Sequence, residues 1–208
     1  MATFSVTVEE YDPGALGDRF GGWDWQLDPA RAALLVHDLQ PYYLGVLAPG
    51  VRSRLLAGVG RALEWADRAG VPVLASAPRP AADPAQRGLL GQRWGLGPTA
   101  EQARECALER LAAPDVVRIS KRSYSAFFAT DLETELRRTG RDQLLIAGVY
   151  ASAGILATCL DAHAREVRPF VLLDATADYT AADHRRGLET AAALAAAVLP
   201  SVPGPAAH

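Results

Sequence analysis

Residues 144–151 read Leu-Leu-Ile-Ala-Gly-Val-Tyr-Ala, and this stretch decides the fold. A short run that is apolar at odd and even positions alike fits a strand covered on both faces, as in a parallel sheet. Outward from it the pattern repeats. Residues 32–37, Ala-Ala-Leu-Leu-Val-His, form a second such run, and residues 71–75, 116–119 and 170–173 read as further strands. Between them, residues 51–68 place Leu55, Leu56, Val59, Leu63 and Trp65 at helical spacing, with Gly70 as the stop. Helices are also expected over residues 101–111, 131–138, 151–165 and 181–198, the last opened by Thr180 with Asp183 in a capping box. Strand and helix thus alternate about five times. The expected form is a single-domain, Rossmann-like α/β fold of three layers, a parallel sheet with helices on both faces.

The organisation around that core is simple. Residues 1–29 read as an arm punctuated by Gly17, Gly21 and Gly22, with Trp23 and Trp25 available to pack it down. Residues 30–200 form the domain, and residues 201–208 a tail with nothing to bury. Residues 77–100 form a long Pro-, Gly- and Arg-rich connection, and such loops in compact domains are usually functional.

Composition narrows the class. The chain has 208 residues, is 50% hydrophobic and carries a formal charge of −3, which excludes a disordered chain. No apolar run reaches the ~18 residues of a membrane span, and residues 1–10 lack an export signal. No basic patch points to nucleic acid. Two cysteines, Cys106 and Cys159, are too few for a disulfide scaffold, so a reducing cytoplasm is the expected location of a soluble globular chain. Among 21 basic residues only Lys121 is a lysine. The 20 arginines fit genome bias, whereas the lone lysine directs attention to its surroundings.

In open α/β sheets ligands bind beyond the carboxyl ends of the strands. Three segments end there with polar groups: 37–40 (His-Asp-Leu-Gln), 120–122 (Ser-Lys-Arg) and 148–151. Asp38 and Lys121 brought together could form a plain ion pair or, in a dry pocket, a proton-sharing pair. The strand-to-helix turn after Gly148 should aim the free amides of residues 150–154 at an anion. His37, His163 and His184 are scattered, and no metal-ligand spacing is present.

Five motifs in this order carry a resemblance. They are residues 34–43 (Leu-Leu-Val-His-Asp-Leu-Gln-Pro-Tyr-Tyr), 121–128 (Lys-Arg-Ser-Tyr-Ser-Ala-Phe-Phe), 148–151, 169–170 (Pro-Phe) and 174–178 (Asp-Ala-Thr-Ala-Asp). Over residues 20–200 the chain resembles the isochorismatase family, and within it the vinyl-ether hydrolases of isochorismate or 2-amino-2-deoxyisochorismate. The resemblance implies catalytic Asp38 and Lys121, with Asp38 protonated as general acid. Gln40, Tyr42, Arg87, Trp94, Tyr124, Tyr150, Ala151 and Gly154 are the implied substrate contacts. It further implies a dicarboxylate substrate, no cofactor, no metal and a homodimer or larger assembly. The family's amidases place a nucleophilic cysteine where this chain has Gly154. Cys159, five residues on, lies ~140° round the helix and ~7.5 Å away, so it reads as an inert core residue.

Three positions depart from the family pattern. Pro78 replaces a substrate-facing glutamine, so one ring contact is either missing or taken over by Arg79. Arg122 replaces a tryptophan and Ser152 a histidine. All three are expected around the pocket, where they bear on the ring substituent. A repurposed proton transfer on the same scaffold and a non-catalytic binding protein remain alternatives at this level.

Overall fold

A computed structural model describes residues 6–17 and 20–204, so the first five residues of the arm and the last four of the tail lie outside it. Six strands form one sheet: β1 (Ala32–His37), β2 (Val73–Pro78), β3 (Val117–Lys121), β4 (Gln143–Val149), β5 (Arg168–Ala177) and β6 (Ala197–Leu199). The helices are α1 (Pro41–Leu44), α2 (Pro49–Ala69), α3 (Pro84–Arg87), α4 (Leu89–Trp94), α5 (Leu132–Arg138), α6 (Leu156–His163) and α7 (Ala181–Leu194). The order across the sheet is β3-β2-β1-β4-β5-β6, and every pairing is parallel.

That order fixes where a ligand can sit. The chain moves outward from β1 to β3, then crosses back to β4 and continues the other way. Right-handed crossovers put α2 on one face and α5, α6 and α7 on the opposite face. The reversal falls between β1 and β4, and a crevice opens there at the strand ends. Both strands are buried along their whole length, which explains their unbroken apolar reading. Helix α2 lies close enough on the sheet that a side chain at Gly58 would fall 1.9 Å from the Asp174 carbonyl oxygen. Trp23 and Trp25 stack at 4.7 Å, and Trp25 meets the core residue Phe170 edge-on, so the arm packs as expected.

Three expected elements differ. Residues 101–111 form turns and a short 3-10 helix (Glu109–Ala112), because the Ala107 amide donates to the Leu39 carbonyl instead of continuing a helical ladder. The last helix stops at Leu194, where the Ala195 and Ala196 amides both return to Ala191; residues 197–199 then pair with β5 as an edge strand. An alanine run carries too little periodicity to separate these two outcomes. Val202 in the tail packs against the core rather than standing free. The Thr180 cap is realised, its hydroxyl accepting from the Asp183 amide at 3.0 Å.

Beneath α7 lies a buried polar chain. The Asp178 amide donates to the Tyr11 hydroxyl at 2.9 Å, and that hydroxyl lies 3.1 Å from His184 Nδ1. On the other side of the ring, His184 Nε2 is 3.0 Å from Thr176 Oγ1, which itself donates to the Leu172 carbonyl. The threonine is therefore the acceptor, Nε2 carries the proton and Nδ1 accepts from Tyr11. Burial pushes the His184 pKa down to about 3, so the ring is neutral at pH 7. An unfolded histidine titrates at about 6.5, so between these values the unfolded chain binds the additional proton. Stability should therefore fall as pH drops from about 6.5 toward 3, by on the order of 1 kcal/mol per pH unit from this residue. Urea unfolding at pH 7 and pH 5 should show a smaller pH dependence in His184→Gln than in the parent chain; equal dependence would contradict this role for the ring.

Candidate active site

Asp38 is the first residue beyond β1 and takes a left-handed conformation (φ 49°). That region is uncommon for a residue with a side chain, and such positions gather at functional sites. Ser76, near the end of β2, accepts from the Asp38 amide at 3.1 Å and donates to Asp38 Oδ1 at 2.8 Å. Lys121 closes β3, and its Nζ lies 2.8 Å from Asp38 Oδ2. Its other donors reach the carbonyls of Ser123 at 2.9 Å and Tyr124 at 3.4 Å. Both charged residues are buried.

Burial pushes the Asp38 carboxyl upward, but the Lys121 ammonium and the hydrogen bonds from Lys121 and Ser76 outweigh it. The group is held below the ordinary carboxylate range. The resemblance implied a protonated Asp38, which needs desolvation to outweigh the nearby positive charge; in this structure the charge wins, and Asp38 and Lys121 form an ion pair. His37 is fully buried, and burial lowers its pKa despite the nearby carboxylate. Its neutral ring donates from Nδ1 to the Val149 carbonyl at 2.8 Å, tying the end of β1 to the end of β4.

The turn after β4 is the third component. The Val149–Tyr150 peptide is cis, and a π-helical turn (Ala151–Ile155) leads into α6. The expected cradle of free amides is reduced by internal bonding. Ser152 donates to Asp178 Oδ2 at 2.6 Å, and Ala153 and Ile155 donate to the Tyr150 carbonyl. At most the amides of Ala151 and Gly154 remain for a ligand. Gly154 faces His37 so closely that an added Cβ would fall 2.4 Å from the imidazole Cε1. The ring is fully buried, so glycine is required here for packing.

These parts floor a cavity of about 360 Å³ at the switch point, within the usual range for small-molecule sites. Of the expected residues, Asp38, Tyr42, Arg87, Trp94, Lys121, Tyr124, Tyr150 and Gly154 line it. Arg87, at the end of α3, is anchored by the Gly95 carbonyl at 2.7 Å, and no carboxylate among the described residues pairs with it. Trp94 Nε1 donates to the Tyr124 hydroxyl at 2.8 Å, so the long connection and the segment after β3 close one wall together.

Two expected contacts fall elsewhere. Gln40 is buried behind the site because its amide nitrogen turns back to the Ser76 carbonyl at 3.0 Å. The Ala151 side chain is buried outside the lining. The three departures also miss this cavity: Pro78 pairs in register with Lys121, Arg122 reaches the Gln86 carbonyl, and Ser152 faces an outer groove. Arg79 is exposed and does not reach the lining either.

Sequence reasoning missed Ser76, Tyr43 and Tyr179. Tyr43 adjoins Tyr42 in a quoted motif, and Tyr179 follows Asp178, so adjacency to motif residues was the available signal. Neither cysteine lines the cavity. Cys159 is fully buried, and burial pushes its thiol up to about 12, which leaves it unreactive. Among the described residues no cluster of three or more His, Cys, Asp or Glu could hold a metal.

A buried carboxylate–ammonium pair under a cationic, tyrosine-lined cavity at the switch point of a 3-2-1-4-5-6 sheet is a small-molecule site of an open α/β sheet. The isochorismatase domain model matches residues 32–201, and the chain belongs to the isochorismatase family of hydrolases. It is 42% identical over 176 residues to the phenazine biosynthesis protein PhzD1 of Pseudomonas aeruginosa, covering 84% of this chain and 85% of that one. It is 35% identical over 171 residues to the isochorismatase of Bacillus subtilis, covering 81% of this chain and 55% of that one. Among solved structures, a cysteine hydrolase from Pseudomonas syringae superposes with a TM-score of 0.75 at 26% identity, covering 85% of this chain and 92% of that one.

The Gly154 packing has a direct consequence. Gly154→Ala should destabilise the protein by about 1–3 kcal/mol, the usual cost of overpacking a filled site. Denaturant unfolding would measure it, and a change below about 0.5 kcal/mol would show that His37 can move aside.

Proposed function

We propose that the protein hydrolyses the enolpyruvyl ether of a chorismate-derived dicarboxylate, isochorismate or 2-amino-2-deoxyisochorismate. The observation that carries this reading is the 2.8 Å pair of Asp38 and Lys121 on the floor of a cavity with no thiol in its lining. Acid chemistry needs no nucleophilic side chain. The names of the similar proteins, an isochorismatase and a phenazine biosynthesis protein, support the same class of substrate.

The substrate's two carboxylates need cations or N–H donors. Arg87, held by carbonyls and paired with no described carboxylate, presents a bidentate fork to one. The other approaches Lys121 and the Gly154 amide. Its negative charge draws on the ammonium and disfavours the Asp38 carboxylate, so Asp38 takes up a proton. Asp38 then delivers that proton to the terminal methylene carbon of the enolpyruvyl group. The vinyl π pair forms the new C–H bond, and the adjacent carbon becomes an oxocarbenium ion. Water adds to that carbon and loses its proton to the Asp38 carboxylate. Asp38 passes that proton to the ring oxygen as its bond to the hemiketal carbon breaks, and the hemiketal hydroxyl gives its proton back to Asp38, releasing pyruvate and the hydroxylated dihydro-aromatic acid. Lys121 must be an ammonium here. Its three donors point in divergent directions to Asp38, Ser123 and Tyr124, a pattern that a planar guanidinium cannot reproduce.

Incubation with either substrate and coupled detection of pyruvate tests the reading; no pyruvate at high enzyme concentration would overturn it. Asp38→Asn and Lys121→Arg should each lower kcat/KM by about 10²–10⁴, while Cys159→Ala should leave it nearly unchanged. The pH profile has a definite sign. Because the acid form of Asp38 is required and the free enzyme holds that carboxyl below its ordinary range, kcat/KM should fall as pH rises through neutrality. A rise with pH would indicate a general base instead.

A further inference from the structure

The cavity lining contains five tyrosines, and their hydroxyls are not equivalent. Tyr124 accepts from Trp94, and Tyr150 donates to the Tyr43 carbonyl at 2.7 Å. Tyr179 stacks on Tyr150 at 4.2 Å. Tyr42 is 39% exposed and reaches solvent. Tyr43 differs from all four. It is partly buried, and its ring stands edge-on to both Tyr42 and Tyr150. Its hydroxyl makes no hydrogen bond to any described residue. Burial, with the negative charge of Asp38, pushes its pKa up, and Arg87 acts on it in the opposite sense.

A hydroxyl that lines a ligand cavity and bonds no described residue is available to hydrogen-bond a ligand. The chemistry of the partner follows from what the cavity already offers. Lys121 and Arg87 answer the two carboxylates. What a neutral group that both donates and accepts adds is recognition of a neutral or weakly basic polar substituent. Neither Pro78 nor Arg79 can serve that substituent, since both lie outside the cavity lining. Among the lining tyrosines, Tyr43 is less exposed than Tyr42 and Tyr124 and lies within the electrostatic reach of both Asp38 and Arg87, which places its free hydroxyl beside the reacting groups.

We propose that Tyr43 is a specificity-determining residue, whose hydroxyl hydrogen-bonds the hydroxyl or amino substituent of the dihydro-aromatic ring. This rests on the vinyl-ether hydrolase reading and extends it. Tyr43→Phe removes one oxygen and keeps both edge-on ring contacts, so the fold is retained. With isochorismate, the variant should raise KM about tenfold with kcat changed less than about threefold, as when one hydrogen bond common to ground state and transition state is removed. Direct titration gives a readout that does not need turnover. The parent chain should prefer 2,3-dihydroxybenzoate over benzoate by about tenfold, and Tyr43→Phe should bring the two affinities close together.

The two readings can fail separately. A parent chain that releases no pyruvate but shows a Tyr43-dependent preference for the hydroxylated acid would overturn the function and support the role of Tyr43. A Phe variant that keeps both the parent KM and the parent preference would overturn the proposal. So would a parent chain with no preference, or a variant whose kcat alone falls.

Discussion

One ion pair organises this molecule. Asp38 and Lys121 stand at the ends of two strands that are not neighbours, with β2 between them. Their side chains meet over Ser76 on that middle strand, which fixes the carboxylate from the other side. Two charges taken out of water are tolerated only when their remaining hydrogen-bonding capacity is met. Here the Ser123 and Tyr124 carbonyls meet it for Lys121, and the Ser76 hydroxyl meets it for Asp38. The left-handed turn at Asp38 is part of the same arrangement, since it lets the Asp38 amide and carboxylate share one serine.

The rest of the site is hung from that pair. His37 ties β1 to the end of β4, and Gly154 packs against its ring, so the π-helical turn has little freedom to shift. Asp178 holds the same turn through the Ser152 amide. The buried chain through Tyr11, His184 and Thr176 joins Asp178 to the arm and to α7. The β4–α6 turn at the candidate site and the docking of the arm therefore share a hydrogen-bond network. The cost is sensitivity to acid, because a neutral buried histidine lies at its centre.

Much of this was legible in the sequence, for identifiable reasons. Strands β1 and β4 are buried on both faces, and burial of that kind writes an unbroken apolar run. Asp38 and the turn at 150–154 follow such strands directly and Lys121 ends the edge strand β3, so their meeting at one edge of the sheet follows from topology. The lone lysine pointed to the same place. What escaped was set by tertiary competition. The Leu39 carbonyl captured the Ala107 amide and dissolved an expected helix, and pairing with β5 turned part of an alanine run into strand β6. Gln40 shares a motif with Asp38, yet a single backbone acceptor on β2 turns it away from the cavity. The amides of the π-helical turn were expected to be free because strand-to-helix turns usually leave them so; Asp178 and Tyr150 occupy them here. The net charge state of Asp38 was beyond sequence, since it depends on a 2.8 Å distance that only the folded chain defines.

The proposed mechanism turns on one event: Asp38 begins as a carboxylate and becomes the acid only when a dianion enters. The most direct test is calorimetric titration with the lactyl ether of the ring acid, which keeps both carboxylates but has no vinyl carbon to protonate. Repeating the titration at pH 7 in buffers of different ionisation enthalpy counts the protons exchanged on binding. The parent chain should take up about one proton, and Asp38→Asn none. No uptake by the parent chain, or equal uptake by both, would contradict the mechanism.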